Sequence, residues 1–335
     1  MDIRRRTEHY GVRCARLPFR GPKGKCCADA RLSVRDRAFY CVADAKYFLG
    51  AVALVNSLRL MGHDEPFVVL DAGLRRDQRF LLERVAEVVN GTASHPLLAK
   101  TQALLLRPAR VQIVLDADVV AVRSLGPLVT RAEHGVVVAF VDDQPERFYD
   151  EWTDATGAER LYRHPYLNAG VIVLPEALGR RVTDVVARVQ AQIDITRTRL
   201  GTRDKSYAFY FPDQDAWNAA FAALVPPERL AALEHELAPM EPVEDVIVED
   251  EQTLSCRRAS GARPFVLHHI SQKPWLVEQR PTAYSRLLTR LLQGEDVALR
   301  LPARALPLWL RRGGVPRALA AARRWLLARS VRTDG

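Results

Sequence analysis

From residue 38 onward the chain switches repeatedly between two hydrophobic periodicities. "AFYCVAD" (38–44) is a short apolar run of the length of a buried strand. "AKYFLGAVALVNSLRLMG" (45–62) follows with apolar residues at helical spacing, closed by Gly62. "PFVVLD" then reads as a second strand, "RRDQRFLLERVAEVV" as a second helix and "VQIVLDAD" as a third strand. Farther on, "GVVVAFVDD" is a strand ending in acid, and "YLNAGVIVLP" a strand behind a polar turn. "DQDAWNAAFAALV" is a helix with Asp213 as its N-cap, and "PFVLHHI" a late strand ending in His268 and His269. Strands alternating with helices predict an α/β fold with a mainly parallel central sheet. Ligands of such sheets bind beyond the carboxyl ends of the strands. Three of the predicted strands end in Asp44, Asp71 and Asp116, which places carboxylates along that edge.

Both ends of the chain depart from this pattern. Residues 1–37 carry Gly, Pro and charge without periodicity and read as a loose basic leader, so the folded domain is expected over 38–285. Residues 286–335 read as a basic helical extension. Within it, 302–332 alternate Leu, Trp and Ala with Arg at helical spacing, interrupted by "GGVP". An amphipathic segment with Trp309 and Trp325 suits an anionic membrane surface; packing on the domain with arginines turned to solvent is the competing reading.

Composition narrows the class. With 335 residues, 48% of them hydrophobic, the chain can bury a sizeable core. The formal charge of +9 belongs to the ends: residues 1–37 hold eleven Arg/Lys against four Asp/Glu, and 300–335 hold nine Arg against one Asp. The middle is net acidic and carries no basic stripe, so no nucleic-acid partner is expected. Five cysteines, Cys14, Cys26, Cys27, Cys41 and Cys256, show no Cys-x-x-Cys spacing. That argues against a disulfide scaffold or a zinc site and for a reducing compartment. Without an apolar signal core or a membrane-spanning run, the expected place is cytoplasmic, peripheral to the inner face of a membrane if the tail docks there.

The candidate chemistry centres on "VLDADVV". Alternation along a strand turns Asp116 and Asp118 to one side, where two buried carboxylates call for a cation or a proton. The spacing alone is weak, since "DQD" at 213–215 repeats it. Two enzyme classes use an acidic pair after a buried strand. Dehalogenase-type phosphatases carry Asp-x-Asp-x-Thr/Val, which "DADVV" fits with Asp116 as nucleophile, but on the first strand of their core. Glycosyltransferases of the GT-A fold place the pair after a nucleotide-binding region, as here.

Six ordered segments decide between them: "VADAKYFLGAVALVNSLR", "LLAKTQAL", "VLDADVVAVRSLGPL", "YLNAGVIVL", "DQDAWN" and "LHHISQKPWL". Over roughly residues 38–280 the sequence resembles family 8 glycosyltransferases, the retaining group that includes glycogenin and bacterial lipooligosaccharide galactosyltransferases. The resemblance implies a GT-A, Rossmann-like domain. It implies a Mn²⁺ (or Mg²⁺) ion on Asp116, Asp118 and a His, and a nucleotide-sugar donor, UDP-linked, serving a glycan or lipid-linked acceptor. Asp44 and its neighbours, Tyr47 among them, would hold the base and ribose, and Lys100 would approach the phosphates or sugar. Asp142 or Asp143, Asn168, Asp213 and Gln214 would line the sugar, Gln214 and Asp213 facing the anomeric carbon, and Lys273 would contact the diphosphate. "HHISQKPW" is one residue shorter than the family's His-x-x-Gly-x-x-Lys-Pro-Trp, with Ser271 in place of Gly. His268, directly after "PFVL", is the favoured ligand, with His269 the alternative. A non-catalytic protein that keeps the fold and recognises a partner through its basic ends is the third reading.

Overall fold

The structure is a computed structural model and describes residues 34–91, 98–241, 245–278 and 282–311. In chain order its elements are β1 (Arg35–Ala43), α1 (Phe48–Leu60), β2 (Phe67–Asp71), α2 (Arg76–Leu82), β3 (Glu87–Asn90), α3 (Lys100–Leu106) and β4 (Ala109–Leu115). These are followed by β5 (Val119–Ala121), α4 (Gly126–Glu133), β6 (Val137–Val141), α5 (Trp152–Thr156), β7 (Leu167–Leu174), α6 (Glu176–Gln190) and α7 (Pro212–Leu224). The last are β8 (Leu230–Leu233), β9 (Met240–Glu241), β10 (Val246–Asp250), β11 (Ser255–Arg258), β12 (Val266–His269) and α8 (Ala283–Gln293).

Seven strands form the central sheet in the order β3-β2-β1-β4-β7-β6-β8. All neighbours pair in parallel except β7, which runs antiparallel to both β4 and β6. Valine-rich runs such as Phe67–Leu70 and Val111–Leu115 are buried along their length, as strands covered on both faces must be. Alternation along β1 sends Phe39, Cys41 and Ala43 into one apolar cluster and Ala38 and Tyr40 into another, so a core lies on each side of the sheet. A second sheet, β5-β12-β9, joins residues far apart in sequence.

The reversal of β7 has a functional consequence. An antiparallel strand enters a sheet where its neighbours leave it. Asn168, the second residue of β7, therefore lies at the edge where β6 ends, with Leu167 in register with Val141 and Asp142 N donating to Tyr166 O at 2.9 Å.

Several expectations need correction. The segment predicted as one long second helix is helical only to Leu82; "EVVN" is instead the edge strand β3, paired in parallel with β2. Its β-branched residues gain more from the sheet than from a helix face. Asp213 does not cap α7. Phe211 holds the N-cap position with Pro212 opening the helix, and Asp213 sits in the first turn with its carboxylate turned inward. Strand β1 takes in Arg35–Arg37, which lie within the segment expected as leader.

At the other end, α8 crosses the expected domain boundary at 285 and packs on α1. Leu299, Leu301, Leu306 and Leu310 are buried in the same core cluster, and Trp309 donates Nε1 to the Pro274 carbonyl at 2.8 Å. The described part of the tail, through Arg311, is thus integral to the fold. The leader through residue 33 and the tail from 312, with Trp325, lie outside the described residues. Among the described residues no helix is long and apolar enough to cross a membrane, and Cys41 and Cys256 are buried free thiols.

Candidate active site

Strand β4 delivers Asp116 and Asp118 to the carboxyl edge of the sheet. After Leu115 the chain leaves the sheet in a turn, fixed by Asp116 N donating to Gly170 O at 2.9 Å and Val119 N to Asp116 O at 3.1 Å, and then enters β5. Strand β12 pairs with β5 so that His268 is in register with Val119, one residue past Asp118. A pairing spanning about half the chain thereby brings the histidine to the carboxylates. His268 Nε2 lies 3.2 Å from Asp118 Oδ1 and 3.7 Å from Asp116 Oδ2. One ligand atom from each of Asp116, Asp118 and His268 falls within 4.8 Å of the others.

Alternation along β12 separates the two histidines. His268 faces the carboxylates, while His269 points into the core with its ring edge-on to Tyr284, 5.1 Å between centroids. Among the described residues, neither of its ring nitrogens has a hydrogen-bond partner. Burial, reinforced by Lys273, pushes its pKa down to about 4, so it is neutral at pH 7.

Two lysines neutralise the acids. Lys100, buried at the start of α3, reaches Asp116 Oδ1 at 2.6 Å and Asp213 Oδ2 at 2.5 Å, and donates to Ala169 O at 3.0 Å. Burial works against its charge, but Asp116 and Asp213 overcome that and raise its pKa. Lys273 lies 2.6 Å from Asp118 Oδ2 and also donates to the His269 carbonyl. Burial opposes ionisation of Asp118, yet His268 and Lys273 hold its carboxyl well below the usual range. At Asp213 the balance tips the other way: burial raises its pKa despite Lys100.

A second cluster adjoins the first. Asp142 Oδ2 accepts from Asn168 Nδ2 at 3.1 Å and from Gln214 Nε2 at 3.0 Å, while Gln214 Oε1 accepts from Ala169 N at 3.2 Å. Asn168 Oδ1 closes a tight turn on Gly170 N at 2.8 Å. The carboxylate of Asp44 caps the chain entering α1, accepting from Lys46 N at 2.8 Å and Tyr47 N at 2.9 Å. The Tyr47 ring stands edge-on to Trp275, with Lys273 Nζ 5.8 Å from its centroid. Asp71, the third strand-end acid, is committed elsewhere: it caps Gly73 and Leu74 and pairs with Arg79 at 2.9 Å.

Sequence reasoning passed over four residues that shape the site. A Cβ on Gly50 would meet Ala117 O at 2.1 Å, and one on Gly170 would meet His268 Cε1 at 2.5 Å. A glycine inside an otherwise apolar helix, and another inside a strand, are the signals that a backbone or ligand approaches closely. Asp215, fully buried beside Gln214, accepts both arms of Arg147 at 2.8 Å, Tyr166 Oη at 2.6 Å and Phe211 N at 2.7 Å. That pair gives no sequence signal beyond the "DQD" spacing.

The donor set fits a divalent cation. Carboxylate oxygens and an imidazole nitrogen suit Mn²⁺ or Mg²⁺ better than a thiolate-loving ion, and Asp118 Oδ1 is a buried oxygen without a well-directed hydrogen bond, aimed at the His268 ring. No protein-family model matches the chain, and no curated protein matches it. Among solved structures it is similar to WbbM, a bifunctional glycosyltransferase in its apo form, at 16% identity and a TM-score of 0.52, covering 81% of this chain and 51% of that one. It therefore spans about half the length of the WbbM chain. It is also similar to an active-site mutant of LgtC, at 17% identity and a TM-score of 0.49 over 80% of this chain and 98% of that one. The glycosyltransferase GlyE of Streptococcus pneumoniae TIGR4 matches at 16% and 0.47, over 77% and 61%. With its mainly parallel sheet and its acids at the carboxyl edge, the chain has the α/β fold of GT-A glycosyltransferases.

Proposed function

We propose that the protein is a metal-dependent retaining glycosyltransferase that moves a hexose-type sugar from a nucleotide donor, UDP-linked, to a glycan or lipid-linked acceptor. The observation that carries this reading is the convergence of Asp116, Asp118 and His268 at the ligand edge of a glycosyltransferase fold, flanked by Lys100 and Lys273.

The difficult event in glycosyl transfer is departure of the nucleoside diphosphate, which builds negative charge on the leaving oxygen. Asp116, Asp118 and His268 would hold Mn²⁺ or Mg²⁺, which when bound supplies Lewis acidity toward the diphosphate. Lys273, beside Asp118 at 2.6 Å, would contact the diphosphate. Lys100 stays anchored between Asp116 and Asp213, and so fixes both acids. Asp142, Asn168 and Gln214 would line the sugar. The amide of Gln214 is held by hydrogen bonds at both ends, which suits orientation of the anomeric face better than a mobile nucleophile. Asp213, locked to Lys100, is likewise suited to positioning. Tyr47 and Asp44 would take the base and ribose, and the basic tail would bring the enzyme to lipid-linked acceptors at the inner face of a membrane.

Calorimetric titration with UDP in the presence and absence of Mn²⁺ tests the reading. Binding should require the metal and vanish in Asp118→Asn with the fold intact; unchanged binding in that variant sinks the proposal. Scoring slow hydrolysis across a panel of nucleotide sugars then identifies the donor. Phosphate release from small phosphoesters, lost in Asp116→Asn, would instead favour a phosphatase.

A further inference from the structure

A cavity of about 500 Å³ lies at the far end of α1 from the acids. Helix α1 starts beside the Asp116–Asp118 turn and ends at Leu60, and its 13 residues place the two ends roughly 20 Å apart. Arg123 and Ser124 after β5, Met61 after α1, Ser255 of β11 and Arg263 contribute to its wall. The volume falls within the usual range of small-molecule sites.

Its charges are unbalanced. The Arg123 guanidinium stacks on the Phe265 ring, 3.4 Å from the centroid, and its buried Nε has no hydrogen-bond partner among the described residues. Among the described residues it forms no ion pair. Burial, and then the like charge of Arg263, both disfavour its ionised form. Arg263 reaches Glu249 at 3.5 Å, but that carboxylate already pairs with Arg257 at 3.1 Å and accepts from Ser255 Oγ at 3.0 Å. Two guanidiniums therefore border one cavity, and among the described residues the acid that pairs with either, Glu249, is shared. An underpaired, half-buried cation is unfavourable, and an anion placed between the two offsets that cost. Planar guanidinium forks match the oxygens of phosphates and carboxylates, which they bind in a bidentate manner. The hydroxyl of Ser124 adds a polar group, and Met61 and Val122 supply apolar wall.

We propose that this cavity is a second binding site, remote from the acidic edge, for a small molecule whose phosphate or carboxylate group is gripped between Arg123 and Arg263. The site is independent of the glycosyltransferase reading and stands or falls without it.

The test is calorimetric titration of the full chain, without divalent cation, using inorganic phosphate, glucose 6-phosphate and glucuronate as probes. Saturable binding is expected, weakened about tenfold or more in Arg123→Gln and Arg263→Gln, which corresponds to loss of a charge-assisted contact. Arg263→Glu sets an acid beside Arg123 as well as beside Glu249, so it should abolish binding; a circular dichroism spectrum matching the parent's separates loss of the site from loss of the fold. Lys273→Ala, which removes a cation at the acidic edge, should leave binding unchanged. Preference for the phosphate probes or for glucuronate assigns the source of the oxyanion, and either supports the site. No saturable binding, binding that survives Arg263→Glu, or binding lost in Lys273→Ala overturns it.

Discussion

A Cβ on Gly50 would stand 2.1 Å from the carbonyl oxygen of Ala117, so the turn carrying Asp116 and Asp118 rests against α1 at a point where that helix has no side chain. The Trp275 ring closes the same contact, 2.7 Å from the hypothetical Cβ. Gly50→Ala should therefore shift the turn as well as strain the packing. The expected cost is about 1–3 kcal/mol in urea unfolding, typical of overpacking. Weaker Mn²⁺ binding by calorimetry should accompany it, and an alanine tolerated on both measures would show that the turn is not seated on the helix.

The two adjacent histidines should respond oppositely. His268→Ala removes a nitrogen from the cluster with both acids and should weaken Mn²⁺ binding by on the order of tenfold or more. His269→Phe keeps the ring packed on Tyr284 and removes two buried nitrogens that have no hydrogen-bond partner, so stability should hold or rise. Denaturation and metal titration of both variants decide the matter; a large loss of metal affinity in His269→Phe alone would reverse the assignment.

Much of this arrangement could be read from the sequence, because local signals and long-range packing agree where they were strongest. "VQIVLDAD" and "PFVLHHI" look like strands and carry β4 and β12, and the candidate residues at the sheet edge other than Asp71 belong to one of two adjoining clusters or to the approach to α1. Elsewhere tertiary context overrode local pattern. "EVVN" continues a helical period, yet gains more as a parallel edge strand, and the direction of β7 is set by its neighbours rather than by its own residues. Nor could periodicity choose between His268 and His269. The choice follows from the register of β12 on β5, which depends on a pairing partner about 150 residues away.

Asp143 supplies a pH test. Its hydrogen bond with Asp142, then burial and the neighbouring charge, raise its pKa to about 6 from an ordinary 3.8. An acid whose folded pKa is raised favours the folded state most below its unfolded pKa, and that contribution is lost as the pH rises toward and past 6. Asp143→Asn should thus raise the melting temperature relative to the parent at pH 7 and lose that advantage near pH 4. Parallel melting curves across this window would show that the two acids do not interact.

The Arg147–Asp215 pair should be costly to break from one side. Asp215 has no solvent exposure, and burial raises its pKa even with both arms of Arg147 in place. Arg147→Met leaves that carboxylate without its cation and should destabilise the fold by about 3–5 kcal/mol. Adding Asp215→Asn should recover part of the loss, because the buried charge is then gone. Strictly additive losses in urea unfolding would mean that the two residues contribute independently.

Any test of membrane attachment must respect the seam at Arg311. Leu306 and Leu310 are buried in the main core, and Trp309 is tied to the Pro274 carbonyl one residue from Lys273. Removing residues 302–335 should forfeit about 1.5–3 kcal/mol for each of the two leucines, a large part of an ordinary domain's net stability, and should loosen the Lys273 segment as well. Removing only 312–335 spares all of these contacts. The shorter deletion should keep the parent's melting temperature and metal-dependent UDP binding, whereas the longer one should lose both. In flotation with anionic vesicles, loss of binding in the shorter deletion would assign membrane contact to the terminal 24 residues; flotation equal to the parent's would remove that role from them.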